Sequence, residues 1–380
     1  MERSKFINAK RIVIKLGTNI LRNSDGNVSM PRIFSFIEDI SALVKSGKEV
    51  IVITSGAVGL GKKRLGLDST EGTALKQACA AIGQSKLMSI YEEGFDTYGL
   101  VAAQILLTED DFSIRERYLS LRTTLSKLLE LGAVPVINQN DTVSTIEIAP
   151  RFMNMQVCFS DNDKLSALVA SELDADLLVI LSDIDGLFDS NPKDNPNAKI
   201  IHEVDEVTDD ILALAQGVSS GGRGGMATKL EAARMVTRFG GKMLIANGTI
   251  PFILRKVFAG EEYGTMFLPQ KGSLSDKKRW IGYATNIIGK IIVNDGAKNA
   301  LINEEKSLLP IGIVDVINEF NKGDVVSIVD ENGKEFARGI VNYSSNSCKK
   351  VIGRHSDNIL EILGFKNYDA IITRDNITIL

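Results

Sequence analysis

Residues 11–18 read RIVIKLGT. Ile12, Val13, Ile14 and Leu16 make a short, β-branched apolar run, which predicts a buried strand over Arg11–Leu16, and Gly17-Thr18 ends it. Working outward, Pro31 opens a segment with Ile33, Ile37, Ile40 and Val44 at helical spacing, and Gly47 stands just past its end. Glu49–Thr54 (EVIVIT) predicts the next strand. A helix follows from about Ala74 to Tyr91, then a strand over Leu100–Leu106. Tyr118, Leu121, Leu125, Leu128 and Leu129 mark another helix, closed by Gly132. The strand Val134–Asn138, a helix from about Asp163 and the strand Leu177–Leu181 complete the series. Strands that are apolar almost throughout, separated by helices, predict an α/β fold with an open, mainly parallel sheet sandwiched by helices.

Such sheets bind ligands outside the carboxyl ends of their strands. The residues there are Lys15-Leu16-Gly17-Thr18, Thr54-Ser55-Gly56-Ala57, Asn138-Gln139-Asn140-Asp141 and Ser182-Asp183. One polar strand end is an ordinary turn. Four together, two of them with Gly beside a hydroxyl, favour a site. Lys15 is the most telling, because it interrupts a run of Ile, Val and Leu. It is either an edge residue facing solvent or a charge aimed at a ligand, since buried lysines are uncommon unless paired. Its place beside Gly17-Thr18 favours the ligand.

Two glycine patterns need weighing. Gly56–Lys63 (GAVGLGKK) nearly matches G-x-x-x-x-G-K-[ST], but its last position is Lys63, which offers no hydroxyl to Mg²⁺. It reads as chance. Gly222–Ala227 (GRGGMA) matches the dinucleotide fingerprint in letters, yet no acidic residue occurs between Glu231 and Glu261 to take a ribose. A Gly-rich loop leading into a helix over Met226–Arg238 is better read as an anion site made by amides and the helix dipole. Lys229 then lies in the first turn, facing either a phosphate or solvent. Asp161-Asn162-Asp163 starts a helix, where such residues are common caps. Asp141 and Asp183, both after strands, favour a reading in which some carboxylates orient lysines or Mg²⁺.

Composition excludes more than it identifies. The 380 residues are 44% hydrophobic and 24% charged, which fits a globular chain of two or three domains. Lys plus Arg is 44 against 48 Asp plus Glu, a net charge of −4, which argues against a dedicated nucleic-acid binder. With two histidines, His202 and His355, neither a Ser-His-Asp triad nor a multi-His metal site is credible. Cys79, Cys158 and Cys348 are far apart, which suggests a reducing compartment and no zinc site. No signal peptide is evident, and no apolar run is long enough to span a membrane, so a soluble, cytoplasmic protein is expected.

Near Leu268 the pattern changes. Pro269–Arg279 (PQKGSLSDKKR) is polar and reads as a linker. Beyond it come short strands at Gly289–Val293, Val325–Val329 and Phe336–Val341, with an Asn332-Gly333 hairpin turn. The expected organisation is a catalytic domain over 1–268, a linker over 269–284 and a small β-rich domain over 285–380.

Ile12–Thr18, Val52–Val58, Ala133–Val143, Asp161–Ala170 and Gly224–Lys229 together resemble the amino acid kinase family, and in particular its branch acting on glutamate. The last region, including Ser307–Pro310, Gly312–Val316 and Phe336–Val341, resembles the PUA domain that many of those kinases carry. The resemblance implies transfer of the ATP γ-phosphoryl group to the γ-carboxylate of L-glutamate, with Mg²⁺, as the first step of proline synthesis. It implies that Lys15 and Lys229 are the catalytic lysines and that Asp163 holds both. It gives Ser55, Asp141 and Asn162 to glutamate. It gives Lys15, Ser182, Asp183, Arg223, Gly224, Gly225, Met226, Ala227, Thr228 and Lys229 to the nucleotide. A homo-oligomer and feedback inhibition by proline are also implied.

Departures from the family pattern are the longer Glu147–Asp161 segment, Ser160 in place of Gly, Arg223 in place of Thr, and Asn19 in place of Ser. The competing readings are a kinase of acetylglutamate, aspartate or a nucleotide, and an RNA-binding or regulatory protein working through the PUA-like region. Residues 285–380 hold 11 Lys plus Arg and 13 Asp plus Glu, a net of −2, which argues against RNA as the main partner.

Overall fold

The computed structural model describes residues 8–23, 28–108, 110–143, 162–192, 194–215, 225–270, 276–284 and 286–380. Strand β1, Arg11–Leu16, runs up the middle of an eight-stranded sheet. It pairs in parallel with β2 (Glu49–Ile53) on one side and with β5 (Leu177–Ser182) on the other. Outside β2 lie β4 (Val134–Gln139) and the edge strand β3 (Ala102–Leu107), both parallel. The short strands β6 (Leu187–Phe188) and β7 (Ile200–Ile201) form a separate pair. On the far side of β5 the order continues with parallel β9 (Lys242–Asn247), antiparallel β10 (Thr265–Phe267) and β8 (Glu203–Val204). The chain thus builds leftward from β1 to β2 and later rightward from β1 to β5. That reversal opens a crevice at the carboxyl ends of β1, β2 and β5.

Alternation along β1 decides what faces the crevice. Ile12, Ile14 and Leu16 share one face. They pack with residues of α1 (Met30–Lys45), α3 (Thr73–Asp96) and α9 (Ile253–Phe258), including Ile33, Ile37, Ile40, Leu87, Tyr91, Phe95, Ile253 and Val257. Val13 and Lys15 face the other way, toward α6 (Asn162–Glu172) and α8 (Met226–Arg238), which pack against each other. The remaining helices of this region are α2 (Ala57–Arg64), α4 (Asp110–Ser113), α5 (Arg115–Glu130) and α7 (Asp209–Ala213). The P-loop look-alike is therefore a helix for most of its length. Gly61 is there for contact rather than for a phosphate: a Cβ on it would lie 1.8 Å from the Cys79 carbonyl oxygen of α3, and one on Gly83 would lie 1.8 Å from that of Ala57.

Leu274–Leu380, together with Phe112–Arg115, forms a second compact unit. The residues read as the end of a linker are helical instead. They form α10 (Asp276–Arg279) and a π-helical turn over Trp280–Ala284, in which Trp280 and Ile281 are buried. Five strands follow: β11 (Gly289–Val293), β12 (Ile313–Ile317), β13 (Val325–Val329), β14 (Glu335–Ile340) and β15 (Ile377–Ile379), in the order β12-β11-β13-β14-β15. β13 and β14 join through the expected Asn332-Gly333 turn, with Gly333 at φ 80° and Asp330 accepting from the amides of Asn332 and Lys334. Three helices, α11 (Asp295–Asn303), α12 (Ser345–Val351) and α13 (Ile359–Leu363), complete the unit. Its own core includes Ile291, Val326, Ile328, Phe336, Tyr343 and Ile371.

Candidate active site

Asp163 is fully buried in the first turn of α6, and two lysines close on it. Lys15 Nζ lies 2.6 Å from Oδ1 and Lys229 Nζ lies 3.0 Å from Oδ2. Both lysines are themselves nearly buried, at 6% and 4% exposure. A lone ammonium in such a place would discharge, so the shared carboxylate is what allows the two charges there. Burial alone would push the Asp163 carboxyl's pKa up. The Lys15 ammonium and then the Lys229 ammonium outweigh it and hold the group below its ordinary 3.8. Thr228 Oγ1 also lies 3.0 Å from Asp163 Oδ2 and 2.8 Å from the Gly225 carbonyl, so its one proton is shared between these two acceptors and ties the first turn of α8 to α6.

A cleft of about 420 Å³ opens beside this cluster. Lys15, Gly17, Thr18, Ser55, Gly56, Ala57, Asn138, Gln139, Asp141, Ser182 and Asp183 all line it, so the four strand ends read from the sequence converge on one cavity. Gly56 turns the chain from β2 into α2 at φ 109°, a left-handed conformation that a side chain would strain.

Beneath the cleft runs a relay of amides. Asn162 Nδ2 donates to the Thr54 carbonyl at 2.7 Å, to Ser55 Oγ at 2.8 Å and to Asn138 Oδ1 at 3.2 Å. A backbone carbonyl only accepts, so Thr54 fixes which way the Asn162 amide points. Asn138 must then offer its oxygen to Asn162, and its Nδ2 donates onward to Gln84 Oε1 at 2.9 Å. Behind Thr54, its hydroxyl bonds the buried Tyr91 hydroxyl at 2.7 Å, and burial pushes that phenol's pKa up. The consequence for ligands is polarity: Asn162 has spent its donors on protein, and Ser55, which accepts from it, has no acceptor for its own proton among the described residues and can offer it to the cleft.

On the other wall, Asp183 accepts from Asn19 Nδ2 at 2.9 Å and from Ser182 Oγ at 3.1 Å. Burial would raise the Asp183 pKa, but the Asn19 hydrogen bond first, with the Ser182 bond and a weaker pull from Lys229 among the others, lowers it. Asn19, which the sequence marked only as a departure, is thus a partner of Asp183.

Of the candidate residues, Lys15, Lys229, Asp163, Ser55, Asp141, Asn162, Ser182 and Asp183 meet at one place. Gly225, Met226, Ala227 and Thr228 form the cap and first turn of α8, and among the described residues of that segment only Lys229 reaches the lining. Arg223, Gly224, Asp161, Ser160 and the segment from Glu147 lie outside the described residues or reach beyond them. Sequence reasoning missed Gln84, which a helix face hides until packing brings it to Asn138. It also missed Arg22, Thr70 and Lys76, which line the cleft. A signal existed for Arg22, six residues beyond β1.

Two buried ammoniums, strand-end hydroxyls and a helix N-terminus around one cleft are the equipment of a phosphoryl-transfer enzyme. Residues 10–247 match the amino acid kinase family, and residues 289–363 match the PUA domain. The chain belongs to the amino acid kinase family. It is 46% identical over 372 residues to the glutamate 5-kinase of Caldanaerobacter subterraneus subsp. tengcongensis, covering 97% of this chain and 98% of that one. It is 46% identical over 373 residues to the glutamate 5-kinase of Geobacter sulfurreducens, with 98% of each covered. The corresponding enzyme of Moorella thermoacetica is 45% identical over 374 residues, covering 98% of this chain and 97% of that one. Among solved structures, a UMP kinase from Bacillus anthracis aligns with a TM-score of 0.45 at 18% identity, over 70% of this chain and 98% of that one.

Proposed function

We propose that this chain transfers the γ-phosphoryl group of ATP to the γ-carboxylate of L-glutamate, giving γ-glutamyl phosphate and ADP. The observation that carries the reading is Asp163 holding Lys15 and Lys229 at the edge of the strand-end cleft. The carboxylate oxygen of glutamate attacks phosphorus, and the bond to the ADP oxygen breaks. Glutamate is ionised at neutral pH, so no general base is needed. The negative charge spread over the moving phosphoryl oxygens is met by Lys15, and the charge collecting on ADP by Lys229. Asp163 touches neither substrate in this scheme. It sets the spacing of the two ammoniums.

Ser55, Asp141 and Asn162 are assigned to glutamate. Ser55 offers a donor suited to a carboxylate, and Asn162 Oδ1 and Asp141 offer acceptors suited to the α-ammonium. Ser182, Asp183 and the start of α8 are assigned to the nucleotide. Among the described residues no three His, Cys, Asp or Glu side chains group as a metal cage, and both oxygens of Asp163 are engaged by lysines. Mg²⁺ is therefore read as arriving on the phosphates, as MgATP.

The relatives' names support glutamate as substrate and the proline pathway as context. Proline as feedback inhibitor, a homo-oligomer, a cytoplasmic location and the catalytic boundary near Leu268 belong to the same proposal. Among the described residues no helix is long and apolar enough to cross a membrane. The test is hydroxylamine trapping with ATP, Mg²⁺ and a panel of amino acids. The expected result is γ-glutamyl hydroxamate from L-glutamate, reduced by added proline. No hydroxamate at saturating substrates would sink the activity.

A further inference from the structure

Arg22 lines the cleft, and the phosphoryl-transfer scheme leaves it unused. Its backbone is tied down, since its carbonyl accepts from Arg32 Nη1 at 3.0 Å and it pairs with Val28 in an antiparallel bridge. Its guanidinium rests over the first turn of α2, where a Cβ on Gly59 would lie 3.4 Å from Nη2.

The other cations of the lining are occupied. Lys15 and Lys229 share Asp163, and Lys76 has an interaction of its own within the protein. Among the described residues no carboxylate pairs with Arg22. A guanidinium facing a cavity with no described carboxylate beside it calls for an anionic ligand there. A planar, five-donor group suits a carboxylate held through two parallel hydrogen bonds.

The acceptor proposed above carries two carboxylates, and only one receives the phosphoryl group. The other must be stripped of water on entering the cleft, at a cost unless a partner meets it. Of the three residues assigned to glutamate, Ser55 supplies a donor, and a neutral one. We propose that Arg22 binds the carboxylate of the acceptor that is not phosphorylated, and so sets the preference for an amino acid with two carboxylates. This inference rests on the glutamate reading.

The experiment compares wild type, Arg22→Gln and Arg22→Lys on L-glutamate and on 4-aminobutyrate. The second compound keeps the reacting carboxylate and lacks the other. Hydroxamate formation and ADP release are both followed. For Arg22→Gln the KM for L-glutamate should rise about tenfold or more, the worth of one charge-assisted hydrogen bond. Its kcat and its KM for ATP should stay within about twofold of wild type, and Arg22→Lys should recover part of the loss. Use of 4-aminobutyrate should not worsen, so the preference for glutamate narrows. An unchanged KM for glutamate overturns the assignment. So does an equal loss on both acceptors, or a rise in KM for ATP instead. Wild type that makes no hydroxamate from glutamate overturns the glutamate reading and this inference with it, whereas an active wild type with an unaltered Arg22→Gln overturns only the role of Arg22.

Discussion

Asp163 carries one negative charge between two ammoniums, so removing it does more than delete a contact. Asp163→Asn leaves two buried cations without the charge that balances them, and stability should fall by about 3–5 kcal/mol in urea titrations. The sign of the pH dependence follows from its lowered pKa. The folded value lies below the unfolded 3.8, so this stabilisation is fully present above 3.8 and is lost as pH falls through the folded value. Wild type should lose stability on acidification in that window, and Asp163→Asn should lose less there. Lys229 is the cleaner catalytic probe. Lys229→Ala should lower kcat by roughly 10²–10³, the range for losing one charge-stabilising donor, while KM for glutamate stays near wild type. An unaltered kcat would remove Lys229 from the chemistry. At this scale the sequence was informative wherever a polar residue broke an apolar run, as at Lys15, or followed one, as at Ser55 and Asp141. Gln84 could not be found that way, because its role comes from packing across the sheet rather than from its neighbours in the chain.

Helices α2 and α3 touch backbone to backbone, through Gly61 and Gly83. Gly83→Ala would push a methyl group to 1.8 Å from the Ala57 carbonyl, where no rotamer change relieves it. The expected cost is about 1–3 kcal/mol or more in denaturant unfolding, with a rise in KM for glutamate, because Gly56 and Ala57 of the displaced segment line the cleft. A variant of wild-type stability and KM would show that α2 can move freely. The central strands and long helices were legible because each carries a full apolar period. Helix α8 was read to its observed ends, and α1 was anchored by Pro31 and Gly47. β9 was not read, since Lys242 opens it and Gly240-Gly241 precede it. β10 and β15 are only three residues long, too short to show a period, and β12 (Ile313–Ile317) has its apolar run broken by Asp315. The 276–284 helix was mistaken for linker because its first turn, DKKR, is as polar as one.

Taken whole, the chain has all the groups of the proposed mechanism in one unit. Among the described residues, every one that lines the cleft precedes Leu230. A chain ending at Leu268 should therefore still form hydroxamate, with kcat within about threefold of full length once circular dichroism shows it folded. Complete loss of activity in a folded truncation would assign the PUA region a part in catalysis. The three central groups are also spread along the chain. Lys15 belongs to its first strand, Asp163 comes well after it, and Lys229 lies past the midpoint. Synthesis adds about 5–20 residues each second, so these groups leave the ribosome seconds apart. Until α8 docks beside α6, Asp163 has one ammonium for company and the cleft lacks a wall. On the proposed mechanism a half-made chain thus has no means of spending ATP, and activity begins in one step, when the last of the three arrives.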